Sequence, residues 1–136
     1  MITPILSDVI VWTGDSVLQD ETGLSKVNTL AKMKRVAKFL RASFPDAFIV
    51  PVLGNHDSHL PNQCPDYLVK PNSFYVYYLQ DGMLELLLPD SARESFAKCG
   101  FYSVVKKGKL MQVKFVVLNT NLYYENHQPM KLEGEI

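Results

Sequence analysis

Apolar residues in this chain gather into short, strand-length runs separated by one long stretch of helical periodicity. Asp8-Val-Ile-Val-Trp-Thr13 is β-branched and aromatic and stops at Gly14-Asp15, which predicts a buried strand ending at a turn. From Ser25 to Ser43, Val27, Leu30, Met33, Val36, Ala37 and Leu40 recur at helical spacing, with Lys and Arg on the opposite side. That pattern predicts an amphipathic helix with Ser25 as its N-cap. Pro45 ends the helix, and Ala47 to Leu53 is a second apolar run that stops at Gly54. A strand, a helix and a strand in this order predict a right-handed βαβ unit, in which both strands are parallel and finish on the same edge. Asp15 and Asn55 then lie side by side, on the edge where open α/β sheets take their ligands.

The rest of the chain reads less regularly. Residues 58–72 contain Pro61, Pro65, Pro71, Asn62, Asn72 and Cys64 without periodicity and are expected to form a long ordered loop over that edge. Phe74 to Ala97 carries Tyr, Leu and Met at roughly helical spacing, broken at Asp81-Gly82 and at Pro89-Asp90, which predicts two or three short helices. Phe101 to Lys106 and Met111 to Asn119 are expected to pair as a hairpin through Lys107-Gly108-Lys109.

Composition narrows the function classes. A chain of 136 residues with 47% apolar and 11% aromatic residues has material for one packed domain. Lys plus Arg and Asp plus Glu number 14 each, so the formal charge is zero and no broad field draws the chain to nucleic acid or anionic lipid. The densest basic cluster is Lys106-Lys107-Gly108-Lys109, too small for a nucleic-acid footprint, so no nucleic-acid partner is expected. No apolar run approaches the ~20 residues of a membrane span. Met1 to Leu6 lacks the basic start and long apolar stretch of a signal peptide, which by itself leads to the expectation of a cytosolic chain. Cys64 and Cys99 match no zinc-finger spacing and are compatible with one disulfide or two free thiols.

Chemistry concentrates at the two strand ends. In Gly54-Asn55-His56-Asp57, the Asn55 carbonyl can ligate a divalent cation without adding charge, and His56 can donate a hydrogen bond or proton to a phosphoryl oxygen. Asp57 is expected to orient His56 through its second ring nitrogen. Asp15, after Gly14, supplies a carboxylate able to bridge two metals. Two metals about 3.5–4 Å apart can clamp a phosphoryl group and generate a hydroxide nucleophile. Gly-Asp alone is a common turn dipeptide and Asn-His-Asp alone can be a capped loop. Their pairing on adjacent strand ends is what points to a metal-assisted phosphoester hydrolase.

Val11-Trp-Thr-Gly-Asp15 together with Phe48-Ile-Val-Pro-Val-Leu-Gly-Asn-His-Asp57 resembles the calcineurin-like metallophosphoesterases. Leu53 to His59, Asn62-Gln63, Gly100-Phe-Tyr-Ser103 and Val117 to Tyr124 follow, in order and spacing, the acid sphingomyelinase-like phosphodiesterase branch. The resemblance covers nearly the whole chain and implies that residues 1–136 are part of one metallophosphoesterase domain. The implied fold class is α/β, a four-layer α/β/β/α sandwich of which this chain is the central part.

The resemblance further implies two divalent ions, expected to be zinc, with Asp15 as the bridging ligand and Asn55 as a ligand of one metal. It makes His56 the histidine that assists cleavage, with Asp57 beside it. His59, Asn121, Tyr123 and Tyr124 are expected to line the substrate cleft. The implied reaction is hydrolysis of a small phosphodiester of nucleotide or choline-phosphate type, and the implied location is extracellular or lysosomal.

Three departures stand against the family pattern. The opening Asp-x-His metal motif would precede Met1, the closing Gly-His-x-His would follow Ile136, and Gln19 stands where the branch carries a proton-donating histidine. The alternative expectation is therefore a catalytically inactive fragment or pseudoenzyme, with little or no activity from residues 1–136 alone.

Overall fold

The structure is a computed structural model, described here for residues 8–16, 25–58, 75, 78–79 and 86–123. Strand β1 (Val9–Trp12), helix α1 (Lys26–Ser43) and strand β2 (Phe48–Pro51) come first. Helix α2 (Asp90–Cys99), strands β3 (Tyr102–Lys107) and β4 (Gln112–Val117), and a 3-10 turn (Thr120–Tyr123) follow. The result is a mixed α/β arrangement with two two-stranded sheets among the described residues.

The expected βαβ unit forms. β1 and β2 pair in parallel with Val9 opposite Phe48 and Trp12 opposite Pro51. The ladder is extended by Phe48 N donating to Asp8 O (3.0 Å) and Val52 N donating to Trp12 O (2.7 Å). Ser25 caps α1 as expected, its Oγ accepting from Asn28 N at 3.2 Å, so one of the free amides of the first turn is satisfied. At the other end, Arg41 Nη1 donates to Pro45 O (3.2 Å) and Ala47 O (3.1 Å), which ties the connection between α1 and β2 to the helix.

Burial is narrower than the pattern suggested. Thr29, Leu30, Met33 and Ala37 form the buried stripe of α1, whereas Val27, expected in that stripe, is 72% exposed. β1, expected to be buried, is half-buried with Val11 facing solvent. β2 is the more deeply buried strand of the pair, with Ile49, Val50 and Pro51 all buried.

Pro89 sits at the N-cap of α2, and Gly100 closes it in the left-handed region at φ 69°. Of the other helices expected before α2, only Tyr75, Tyr78, Leu79 and residues from Leu86 onward fall among the described residues. The hairpin pairs as Tyr102 with Val117 through Lys107 with Gln112. Its turn lies one to two residues later than expected, closed by Gly108 N donating to Met111 O at 2.8 Å.

Aromatic residues join the hairpin to the βαβ unit. Phe96 of α2, 1% exposed, stands edge-on to Tyr75 and Tyr102 with ring centroids 6.0 and 6.1 Å away. Trp12, Met33 and Leu53 line the same small enclosed space as Phe96. Phe48 of β2 packs on Phe115 of β4 at 5.9 Å.

The Tyr102 hydroxyl donates to Pro51 O at 2.6 Å, and burial pushes that hydroxyl far above the ordinary phenol range, so it remains a donor. Tyr102→Phe strands a buried carbonyl and is expected to cost about 1–3 kcal/mol. Urea unfolding of the two chains checks this, and midpoints that coincide would remove the bond from the account of how hairpin and β2 are joined.

Candidate active site

Two loops leave the common edge of β1 and β2. Thr13 to Ser16 follows β1, and Val52 to Ser58 follows β2. The parallel register brings Gly14-Asp15 against Gly54, the residue before the Asn55 that the sequence set beside Asp15. A Cβ on Gly14 would run into Gly54 N and the Asp57 carboxylate, and a Cβ on Gly54 would run into the backbone and carboxylate of Asp15. The glycines are therefore required for the loops to touch. Asp15 itself sits at φ 54°, a left-handed conformation that aspartate tolerates better than most residues.

The loops are held by two carboxylates that cross between them. Asp57, 1% exposed, accepts from Gly54 N at 2.8 Å, Ser16 N at 3.0 Å and Asp15 N at 3.1 Å. In return Asp15 Oδ1 accepts from His56 N at 3.0 Å. Asp57 was expected to orient the His56 ring. Its oxygens are instead committed to backbone amides, and its role is to shape both loops at once. Burial raises the Asp57 pKa above the ordinary carboxylate value, the Ser16, Gly54 and Asp15 amides pull it back, and the negative charge of Asp15 adds a further upward push.

Support comes from outside the motif. Tyr78 Oη donates to Asp57 O at 2.9 Å, from beneath the loop. Asn121, expected in the substrate cleft, turns its Nδ2 to Leu53 O (3.2 Å) and Gly54 O (3.3 Å), and so pins the 3-10 turn to the end of β2. Neither bond was visible in the sequence, because each joins segments with no local pattern in common. Tyr123 is 84% exposed at the end of that turn. His59, Tyr124, Gln19 and Cys64 lie outside the described residues, as does the loop expected over residues 58–72 beyond Ser58.

Asp15 and Asn55 stand on the neighbouring strand ends, exposed and half-buried respectively, and offer a carboxylate and an amide oxygen. Such hard oxygen donors suit two ligand places at a divalent cation. They do not close a site: among the described residues no three His, Cys, Asp or Glu side chains converge to hold a metal ion. Nor is any helix among them long and apolar enough to cross a membrane.

No known protein-family model matches the chain. Several curated proteins do. The chain is 35% identical over 125 residues to an acid sphingomyelinase-like phosphodiesterase 3b of Mus musculus, covering 89% of the chain and 26% of that protein. It is 32% identical over 130 residues to sphingomyelinase phosphodiesterase C of Dictyostelium discoideum, covering 92% of the chain and 27% of that protein. A cyclic GMP-AMP phosphodiesterase of Rattus norvegicus is 32% identical over 120 residues, 85% of the chain and 25% of the relative. The chain thus spans about a quarter of the length of the curated relatives it matches.

Proposed function

This chain is homologous to one segment of the acid sphingomyelinase-like phosphodiesterases, and from that premise we propose that it carries the central part of a metal-dependent phosphodiesterase site. The observation that carries the proposal is the crossed pair of carboxylates, Asp57 accepting from Gly54, Asp15 and Ser16 N and Asp15 accepting from His56 N, which ties the loop that carries Asp15 to the loop that carries Asn55 and His56. In this reading residues 1–136 are part of a calcineurin-like domain of four-layer α/β/β/α architecture, in a protein of the secretory or lysosomal route.

Asp15 and Asn55 would hold two ligand places of a divalent pair, expected to be zinc, which when bound would supply the charge that draws phosphoryl oxygens and lowers the pKa of an attacking water. His56, its backbone fixed by Asp15, is positioned by that anchor to donate a hydrogen bond or a proton to a phosphoryl oxygen. Asp57 acts in this reading through the loops, as the acceptor for the Gly54, Asp15 and Ser16 amides. The substrate is a small phosphodiester of nucleotide or sphingomyelin type.

A second reading, a catalytically silent segment, is favoured by the two-ligand donor set of the described residues. Metal content and bis-p-nitrophenyl phosphate hydrolysis, measured on the chain and on an Asp15→Ala, Asn55→Ala double variant, separate the two. Bound metal and turnover that both disappear in the variant support the proposal. A parental chain with neither makes the silent reading the correct one.

A further inference from the structure

The hairpin of β3 and β4 ends in a turn that neither the core nor the site uses. Gly108 N donates to Met111 O at 2.8 Å and closes it. Turns are ordinarily built from Gly, Pro, Asn, Asp and Ser. This one presents Leu110, 98% exposed, and Met111, 70% exposed, and the exposed Val113 continues the apolar surface into β4 on the Met111 side of the ladder. Among the described residues no other two consecutive large apolar side chains are both exposed. Lys107 and Lys109 precede the pair and Lys114 follows it, all three exposed. Charge that cancels over the whole chain does not cancel here: from Gly100 to Tyr124 the sequence holds Lys106, Lys107, Lys109 and Lys114 and no Asp or Glu. Asp8 stands 4.0 Å from Lys106, so that cation alone is matched by a carboxylate from β1.

We propose that this end of the molecule rests on an anionic lipid surface, with Leu110 and Met111 entering the acyl boundary and Lys107, Lys109 and Lys114 at the headgroups. An apolar apex flanked by cations fits a bilayer, whose interior takes alkyl side chains and whose anionic headgroups take lysines. A nucleic acid would use the cations and leave the apex in water, and an apolar protein surface would cover the apex and strip water from the lysines without return. Helix α1 has more cations, Lys26, Lys32, Lys34, Arg35, Lys38 and Arg41, and no Asp or Glu. Its exposed apolar residues Val27 and Phe39, however, stand ~18 Å apart along the helix and form no apex.

The two ends of β3 fix where the site then points. Tyr102 Oη bonds to Pro51 O, where β2 ends and its site loop begins, and Lys106 Nζ bonds to Asp8 O at 2.8 Å, where β1 begins. The turn therefore lies at the opposite end of the β1–β2 pair from Asp15 and Asn55, with ~17 Å of β3 between Tyr102 and Lys107 at about 3.3 Å per residue. Contact there tethers the chain to the surface and leaves the site facing away from the lipid, whatever the site acts on.

Flotation of the full chain with vesicles of equimolar phosphatidylserine and phosphatidylcholine, and with vesicles of phosphatidylcholine alone, tests this. Binding to the anionic vesicles is expected to fall with added salt and to exceed binding to the neutral ones about tenfold or more, since each lysine near an anionic surface contributes about fivefold. Leu110→Ser with Met111→Ser, and separately Lys107→Glu with Lys109→Glu, are each expected to weaken anionic binding about tenfold or more. All four positions are exposed, so neither pair of changes threatens the fold. Lys34→Glu with Lys38→Glu makes the same charge change on α1 and is expected to leave anionic binding within about twofold of the parent at physiological salt.

No binding to the anionic vesicles, equal binding to the neutral ones, or an equal loss in the α1 pair would each overturn the proposal. So would a parental chain that sediments as a dimer and becomes monomeric with Leu110→Ser and Met111→Ser, which would make the turn a contact between two copies of the chain.

Discussion

Asp57→Ala is expected to destabilise the chain by about 3–5 kcal/mol, read as a shift of the urea unfolding midpoint at constant slope. The substitution leaves the Gly54, Ser16 and Asp15 amides without their acceptor at the place where two loops meet. A hydrogen bond to a charged group contributes about 1.5–3 kcal/mol, and three sharing one carboxylate are not additive. Part of the loss is offset, because removing the carboxylate also removes the cost of burying it, the same cost that raises its pKa.

Asp57→Asn tests the geometry of the loss. An amide oxygen in place of Oδ2 still serves Gly54 N and Asp15 N, but the amide nitrogen then faces the Ser16 N–H, donor against donor. Asparagine is therefore expected to cost less than alanine, about 1–2 kcal/mol. An alanine variant within about 0.5 kcal/mol of the parent would show that the loops hold their shape without Asp57.

Phe96→Ala is expected to lower stability by about 3–5 kcal/mol, the range for deleting a buried aromatic side chain and leaving a cavity. Phe96 stands edge-on to Tyr102 of β3 and lines one enclosed space with residues of β1, α1 and the end of β2, so little can collapse into the space without moving another element. Its edge-on contacts with Tyr75 and Tyr102 would be lost as well. Phe96→Leu keeps much of the volume and is expected to recover more than half of the loss. A Phe96→Ala chain that unfolds at the parental urea concentration would mean that the hairpin and the βαβ unit do not stabilise one another through α2.

The two substitutions act on different levels of the site. Asp57 fixes local loop shape, including the left-handed Asp15 at φ 54°, a conformation that persists because its amide and that of Ser16 are both held. Phe96 belongs to the core beneath the loops, where it lines the same enclosed space as Leu53 at the base of the second loop.

The amino-acid sequence by itself determined the βαβ unit, the cap at Ser25, the hairpin, and the meeting of the loop that carries Asp15 with the loop that carries Asn55 and His56. Each follows from local periodicity, turn residues and the fixed hand of the crossover, all of which act over a few residues or are set by chirality. Tertiary structure alone decided what the polar groups do once they meet. Asp57 reads in sequence as a partner for its neighbour His56, yet its acceptors face amides supplied largely from the other loop, 41 and 42 positions away. Asn121 reads as a cleft residue and is spent on the carbonyls of Leu53 and Gly54 in the loop after β2, 68 and 67 positions away. Apolar periodicity is repeated along an element and so survives in the sequence. A hydrogen-bond partner is a single atom whose position depends on the whole fold, and it leaves no pattern in the sequence to read.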